Sequence, residues 1–111
     1  MHSIFPYIDI LRPINLIFSA LSVIITAHLT DSLNQTIIII NAIVVVVSFA
    51  GASNILNDIF DINIDKKNQP YRPLPSGKIS IWNALVYMLG LYFLGIYTLF
   101  NLSALAIEIA L

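Results

Sequence analysis

Apolar and polar residues in this chain fall into long blocks rather than into alternation. No charged residue occurs from Pro13 to Thr30, from Ser32 to Asn57, or from Ile79 to Ile107. A helix that crosses a bilayer needs about 20 mostly apolar residues, so the first two blocks each predict one membrane span, over 13–30 and 36–57. The third block is too long for one span. Asn101, Leu102 and Ser103 mark the expected turn within it, which predicts a third span over 80–100 and a fourth helix starting at 103 and incomplete at Leu111. The run Ile37–Val47 is rich in β-branched residues and also reads as a buried strand, but three successive charge-free blocks favour helices. A cleavable secretory signal is not expected. No Lys or Arg precedes the first apolar residues, and no small-residue cleavage site follows the first span. The predicted fold class is all-α, a polytopic transmembrane helical bundle.

Composition supports a chain whose solvent is partly lipid. Of 111 residues, 59% are hydrophobic and 10% charged, with a mean hydropathy of +0.90. A soluble domain carries about 25% charged residues. The net charge is −1 and there are five Lys and Arg, too few to neutralise a nucleic-acid backbone. With no Cys, neither a disulfide framework nor a thiolate metal site is available. Four of the five basic residues, Lys66, Lys67, Arg72 and Lys78, lie between the second and third spans, and the fifth, Arg12, precedes the first. The connection His28–Thr36 carries Asp31 and no Lys or Arg. The positive-inside rule therefore predicts an integral, multi-pass protein whose N-terminus and long polar loop, 57–78, are cytoplasmic.

That loop region collects the chemistry. The second span should continue as a helix until Pro70 stops it. Asn57, Asp61 and Asp65 are spaced i, i+4, i+8 and so share one helix face. Asp58 sits one position round, and Asn54 extends the face by a turn. Three carboxylates over two turns repel one another, more so where the dielectric falls at a membrane. Lys66 and Lys67 follow the last Asp directly and point off its face, which leaves a hard divalent cation as the better compensation. Mg²⁺ takes one or two carboxylates plus waters and phosphate oxygens. The plainer reading is that Asp, Asn and Lys at a span's end are ordinary interface residues. The alignment on one face, and the default functional standing of clustered carboxylates at a membrane edge, favour a metal site at Asn57, Asp58, Asp61 and Asp65.

Pro70, Pro73 and Pro75, closed by Gly77, make the following turn stiff. Arg72 is held between two prolines beside Tyr71, and its planar fork suits an oxyanion. The plainer reading of Arg72 is a charge that sets topology. Carboxylates for Mg²⁺ beside a fixed arginine suit a diphosphate, neutralised from two sides.

At these residues a family resemblance becomes specific. Asn57-Asp58-x-x-Asp61-x-x-x-Asp65, followed by Asn68-x-Pro70-Tyr71-Arg72-Pro73-Leu74-Pro75-Ser76-Gly77, resembles the first signature of the UbiA superfamily of intramembrane prenyltransferases. Leu11-Arg12-Pro13-Ile14-Asn15 resembles that family's approach to its first helix. The resemblance implies a transferase in which a polyprenyl diphosphate, bridged by Mg²⁺ to two Asp-rich motifs, ionises and a hydrophobic aromatic or lipid acceptor captures the prenyl group. It implies Asn57, Asp58, Asp61 and Asp65 as metal-binding, with Asp61 and Asp65 the catalytic carboxylates. It implies Arg72, and less directly Lys66 or Lys67, at the diphosphate, and Asn15 and Asn54 lining the cavity. The opening residues and the Arg-Pro-Leu-Pro loop lean toward the type that prenylates geranylgeranylglyceryl phosphate.

Members of the family are considerably longer and carry a second Asp-rich motif in a later loop. Asp9 and Glu108 are isolated and do not replace it. The chain is therefore expected to be the N-terminal part of one domain, its first three to four helices. It is expected to be either inactive alone, as a truncated product, or dependent on a complementary C-terminal half. Two other enzyme classes fit less well. CDP-alcohol phosphotransferases open their motif with Asp-Gly and include Ala-Arg, and neither pair occurs here. Soluble isoprenyl synthases use Asp-Asp-x-x-Asp where this chain has Asn57-Asp58-x-x-Asp61. A transporter would need ionisable residues in mid-membrane, which the three blocks lack.

Overall fold

The computed structural model describes residues 4–110, with side chains over 4–105. The elements in chain order are α1 (Phe5–Asp9), α2 (Pro13–Leu29), α3 (Thr36–Phe60), α4 (Ile62–Asn68) and α5 (Ile81–Ala110), and no strand occurs among the described residues. α3 lies between α2 and α5, with the more extensive contact to α5. α3 and the first 25 residues of α5, Ile81–Leu105, are both long and apolar enough to cross a membrane. α2 is a shorter apolar helix of 17 residues, rising about 26 Å, slightly less than the hydrocarbon thickness of about 30 Å.

The helices start where local chemistry allows. Pro13 occupies the first turn of α2, where its missing N–H is no loss. The Ser80 hydroxyl accepts a hydrogen bond from the Asn83 amide at 3.1 Å and caps α5. α5 then runs unbroken through Asn101, Leu102 and Ser103. The expected turn there, and with it a separate fourth helix at 103, is absent. Asn and Ser lower helix propensity only slightly, and without a nearby Pro or Gly nothing interrupts the backbone ladder. Leu111 and the side chain of Glu108 lie outside the described residues.

Burial is concentrated at one end. Ile10, Ala52, Ile55, Leu74, Ile79, Ala84 and Met88 form the buried core, where α1, α3, α5 and the proline-rich loop converge. Elsewhere large apolar side chains face outward, among them Ile14, Ile17 and Phe18 on α2 and Phe93, Tyr97 and Phe100 on α5. In water such faces would be an aggregation surface. Against lipid or further helices they are the ordinary exterior of a membrane bundle. The buried end is therefore the rigid part of the chain, and the aspartates sit on it.

Candidate functional site

Four charged side chains meet at this end. Arg12 Nη2 donates to Asp58 Oδ1 at 2.7 Å. Arg72 Nη1 donates to Asp65 Oδ2 at 3.1 Å and lies 4.0 Å from the same Asp58 oxygen. Both carboxylates are buried, at 6% side-chain exposure, whereas Arg12 and Arg72 are 34% and 27% exposed. Charge taken out of water is tolerated only when it is paired and hydrogen-bonded. Here the acids sit inside and the arginines close over them.

Each arginine is placed by its backbone. Arg12 precedes Pro13, whose ring disfavours the α region for the residue before it. Arg12 takes neither that region nor the extended one that proline favours but a left-handed conformation, φ 55 and ψ 75, which breaks the chain between α1 and α2. Such a conformation costs on the order of 1–3 kcal/mol in a non-glycine residue and persists where its surroundings hold it. Asn54 Nδ2 supplies part of that hold, donating to the Leu11 carbonyl at 2.8 Å. Asn54 thus ties two backbone segments together. Arg72 sits at the start of a turn whose next two residues, Pro73 and Leu74, are buried in the core. The Ile79 amide donates to the Pro73 carbonyl at 3.1 Å and the Ser76 amide to the Arg72 carbonyl at 3.0 Å. Gly77, at φ 80, closes the turn in a conformation that glycine adopts without strain.

The helix carrying the aspartates differs from expectation. Instead of one helix to Pro70, α3 ends at Phe60, and Asp61, at φ −93 and ψ 8, joins it to α4. The inward face carries Asn54, Asp58 and Asp65. Asn57 is exposed and Asp61 half-buried. On the inward face Arg12 and Arg72 meet the buried acids, beside the core residues Ala52 and Ile55. Asp61's carboxylate has no hydrogen-bond or ion-pair partner among the described residues. Lys66 and Lys67 are exposed and make no ion pair among the described residues, and Asn15 is exposed in the first turn of α2. Sequence reasoning took Arg12 for a topology charge and part of a motif, and so missed it as a member of the site.

An apolar recess of about 270 Å³ adjoins the charged end, lined by Leu11, Leu16, Val47, Ser48, Gly51 and Leu91 with neighbouring residues of α3 and α5. No group of three Asp, Glu or His close enough to hold a metal occurs among the described residues. Asn57, exposed, and Asp61, half-buried and one turn on, with Asp65 buried against Arg72, are oxygen donors by residue type. That set suits a hard cation needing only one or two carboxylates.

The fold and site define an all-helical bundle whose long apolar helices end in a buried, arginine-paired aspartate cluster. Residues 15–111 match the UbiA prenyltransferase family, and the chain belongs to that family. It is similar to proteins named digeranylgeranylglyceryl phosphate synthase from three archaea. Identity is 42% over 87 residues with that of Methanothermobacter thermautotrophicus, covering 78% of this chain and 30% of the relative. It is 41% over 100 residues with that of Methanobrevibacter smithii, covering 90% and 35%. It is 37% over 107 residues with that of Saccharolobus solfataricus, covering 95% and 38%. The chain thus spans about a third of the length of the curated relatives it matches. No solved structure matches it.

Proposed function

We propose that this chain supplies the first diphosphate-binding element of a membrane prenyltransferase, which moves a geranylgeranyl group from its diphosphate to geranylgeranylglyceryl phosphate. The observation that carries the proposal is the Asp-rich end of α3 and α4, packed against Arg72 on a loop that the core fixes. Membership of the prenyltransferase family supplies the reaction class, and the name of the relatives supplies the product class. In the reaction the allylic C–O bond breaks with its electron pair leaving on the diphosphate. The acceptor hydroxyl then bonds to the allylic carbon and loses its proton.

Asn57, Asp61 and Asp65 would hold Mg²⁺. When bound, Mg²⁺ supplies neutralisation of the leaving diphosphate. Arg72 has guanidinium donors beyond the one given to Asp65, and these bind diphosphate oxygens. The recess from Leu11 to Leu91 takes the start of the prenyl chain and excludes water from it. Arg12 and the basic residues of the 57–78 loop support a cytoplasmic orientation for this end, the side from which the diphosphate would arrive.

Transfer from radiolabelled geranylgeranyl diphosphate tests the reading in a full-length protein that contains this chain. Asp61→Ala should abolish transfer, and Asp31→Ala, in the α2–α3 connection, should leave it intact. Equal losses from the two substitutions would refute a site at Asp61. The isolated 111-residue chain is expected to give no transfer, because the family's second Asp-rich motif is not among its residues.

A further inference from the structure

The carboxylate of Asp58 faces two guanidinium groups through one oxygen, Oδ1. Arg12 meets its Oδ1 at 2.7 Å and Arg72 stands 4.0 Å from the same atom. The acid is 6% exposed and the two arginines 34% and 27%, so a ligand arriving from outside reaches the arginines before the acid. Each guanidinium carries five N–H donors. Arg12 gives Nη2 to Asp58 and Arg72 gives Nη1 to Asp65, the one side-chain partner each donates to among the described residues. Two part-exposed arginines with spare donors, converging on one buried anion, have the makings of an oxyanion site.

We propose that Asp58 is a positioning residue rather than a metal ligand: its buried carboxylate sets Arg12 beside Arg72 as a two-arginine site for a phosphate oxyanion. This rests on the diphosphate reading above and assigns within it a part to Arg12 and a different part to Asp58. Coordination of a cation through Asp58 Oδ1 would displace the Arg12 hydrogen bond and leave that guanidinium without its anchor. Asp61 has no such partner to lose. Cation and oxyanion are thereby divided between neighbouring groups, Asn57 and Asp61 on one side, Arg12 and Arg72 on the other. Asp65 is shared between them through Arg72. Simple charge counting predicts the opposite consequence for Asp58: removing a carboxylate should raise affinity for an anion, whereas removing the group that orients two arginines should lower it.

Isothermal titration of the detergent-solubilised chain with inorganic pyrophosphate separates the two, first in EDTA and then in Mg²⁺. The wild-type chain should bind pyrophosphate without metal and more tightly with it. Asp58→Asn should weaken metal-free binding by about tenfold, the worth of a charge-assisted contact, and retain the Mg²⁺ enhancement. Arg12→Lys should lower metal-free affinity with Asp58 intact, since lysine lacks the fork. Asp61→Asn should do the reverse, losing the enhancement without weakening metal-free binding. Unchanged or tighter metal-free binding by Asp58→Asn, or loss of its Mg²⁺ enhancement, overturns the proposal. Wild-type binding that requires Mg²⁺ overturns the two-arginine site and spares the diphosphate reading. Binding in neither condition overturns both. If circular dichroism shows that Asp58→Asn does not fold, Arg12→Lys decides alone, and unchanged metal-free binding by it sinks the proposal.

Discussion

Asn54 and Leu11 are 43 residues apart in sequence, and the Asn54 side-chain amide donates to the Leu11 carbonyl at 2.8 Å. That carbonyl sits immediately before the left-handed turn at Arg12. One turn further along α3, Asp58 holds the Arg12 side chain itself. Backbone and guanidinium of one break are thus secured by two residues of one helix face. Removing the lower tie should loosen the upper one. Asn54→Ala is expected to cost about 1 kcal/mol for a lost hydrogen bond, seen as a lower thermal midpoint in detergent. Asn54→Asp should fail to restore it, because a carboxylate cannot donate. Full recovery in Asn54→Asp would show that the hydrogen bond is not what holds the turn.

The Arg12–Asp58 pair makes its own stability prediction. Breaking a fully buried ion pair costs roughly 3–5 kcal/mol. Arg12 is a third exposed, and Arg72 remains 4.0 Å from the carboxylate. Arg12→Ala should therefore cost less, about 2 kcal/mol, which a thermal melt beside wild type will read. The double variant Arg12→Ala, Asp58→Asn should recover part of that loss, since no unpaired buried charge remains. A double variant weaker than the sum of its parts would exclude coupling of this kind.

How much of this was legible beforehand depends on sequence distance. α2 and α3 and the start of α5 follow from charge-free blocks, because excluding charge from lipid is a local rule that each stretch obeys alone. The turn expected at 101–103 rests on two polar residues whose helix penalty is small, and α5 passes straight through them. The i, i+4, i+8 spacing of Asn57, Asp61 and Asp65 locates the stretch of helix, while the face turned inward carries Asn54, Asp58 and Asp65. Asp58 and Asp65 turned inward because Arg12, 46 residues from Asp58, and Arg72, seven from Asp65, are there to receive them. Nothing near Arg12 in the chain announces that partner. The one available signal was that Arg12 is a lone charge directly before an apolar span, fixed by the proline that follows.

Two glycines on α5 should respond oppositely to the same change. A Cβ at Gly95 would lie 3.0 to 3.3 Å from three atoms of the Phe49 ring. That ring cannot easily swing away, since Tyr92 stands against it with centroids 5.9 Å apart. Gly95→Ala should therefore destabilise the α3–α5 contact, by about 1–3 kcal/mol as overpacking does. A Cβ at Gly90 meets nothing within 4 Å. Gly90→Ala should stabilise by up to about 1 kcal/mol through helix propensity. Thermal midpoints moving in the same direction for both would contradict the packing seen at Phe49.

Tyr7 fastens α1 to the beginning of α5. Its ring meets that of Tyr87 edge-on, with centroids 5.7 Å apart and planes at 65°. Its carbonyl accepts from Tyr87 Oη at 3.2 Å, and its hydroxyl accepts from Asn83 Nδ2 at 3.2 Å. The ring contact is the larger of these, because the hydroxyl bond is exposed and the carbonyl bond survives any side-chain change. Tyr7→Phe should be nearly silent. Tyr7→Ala should release α1, read as faster hydrogen exchange at the Ile8, Ile10 and Leu11 amides, which donate within the α1 segment. Unchanged exchange in Tyr7→Ala would show that burial of Ile10 suffices to hold α1 in place.

Gly51 carries the prediction that reaches furthest toward substrate. It lines the apolar recess beside Leu11, Leu16 and Leu91. A Cβ there would stand 3.1 Å from Leu11 Cδ2 and 3.4 Å from Leu91 Cδ1, both ends of flexible side chains. Gly51→Val is therefore expected to fold, with those leucines pushed into the recess and its volume of about 270 Å³ reduced. If the recess takes the prenyl chain, the loss falls on substrates whose chain must pass Gly51. In a full-length protein, KM for geranylgeranyl diphosphate should rise about tenfold, a pocket effect of 1–3 kcal/mol. A five-carbon diphosphate, which shares the headgroup and ends near it, should lose much less. The ratio of the two losses is what discriminates. Equal losses would mean that Gly51→Val disturbs Arg12 through Leu11, and the prenyl chain would then have to run along another face of α3.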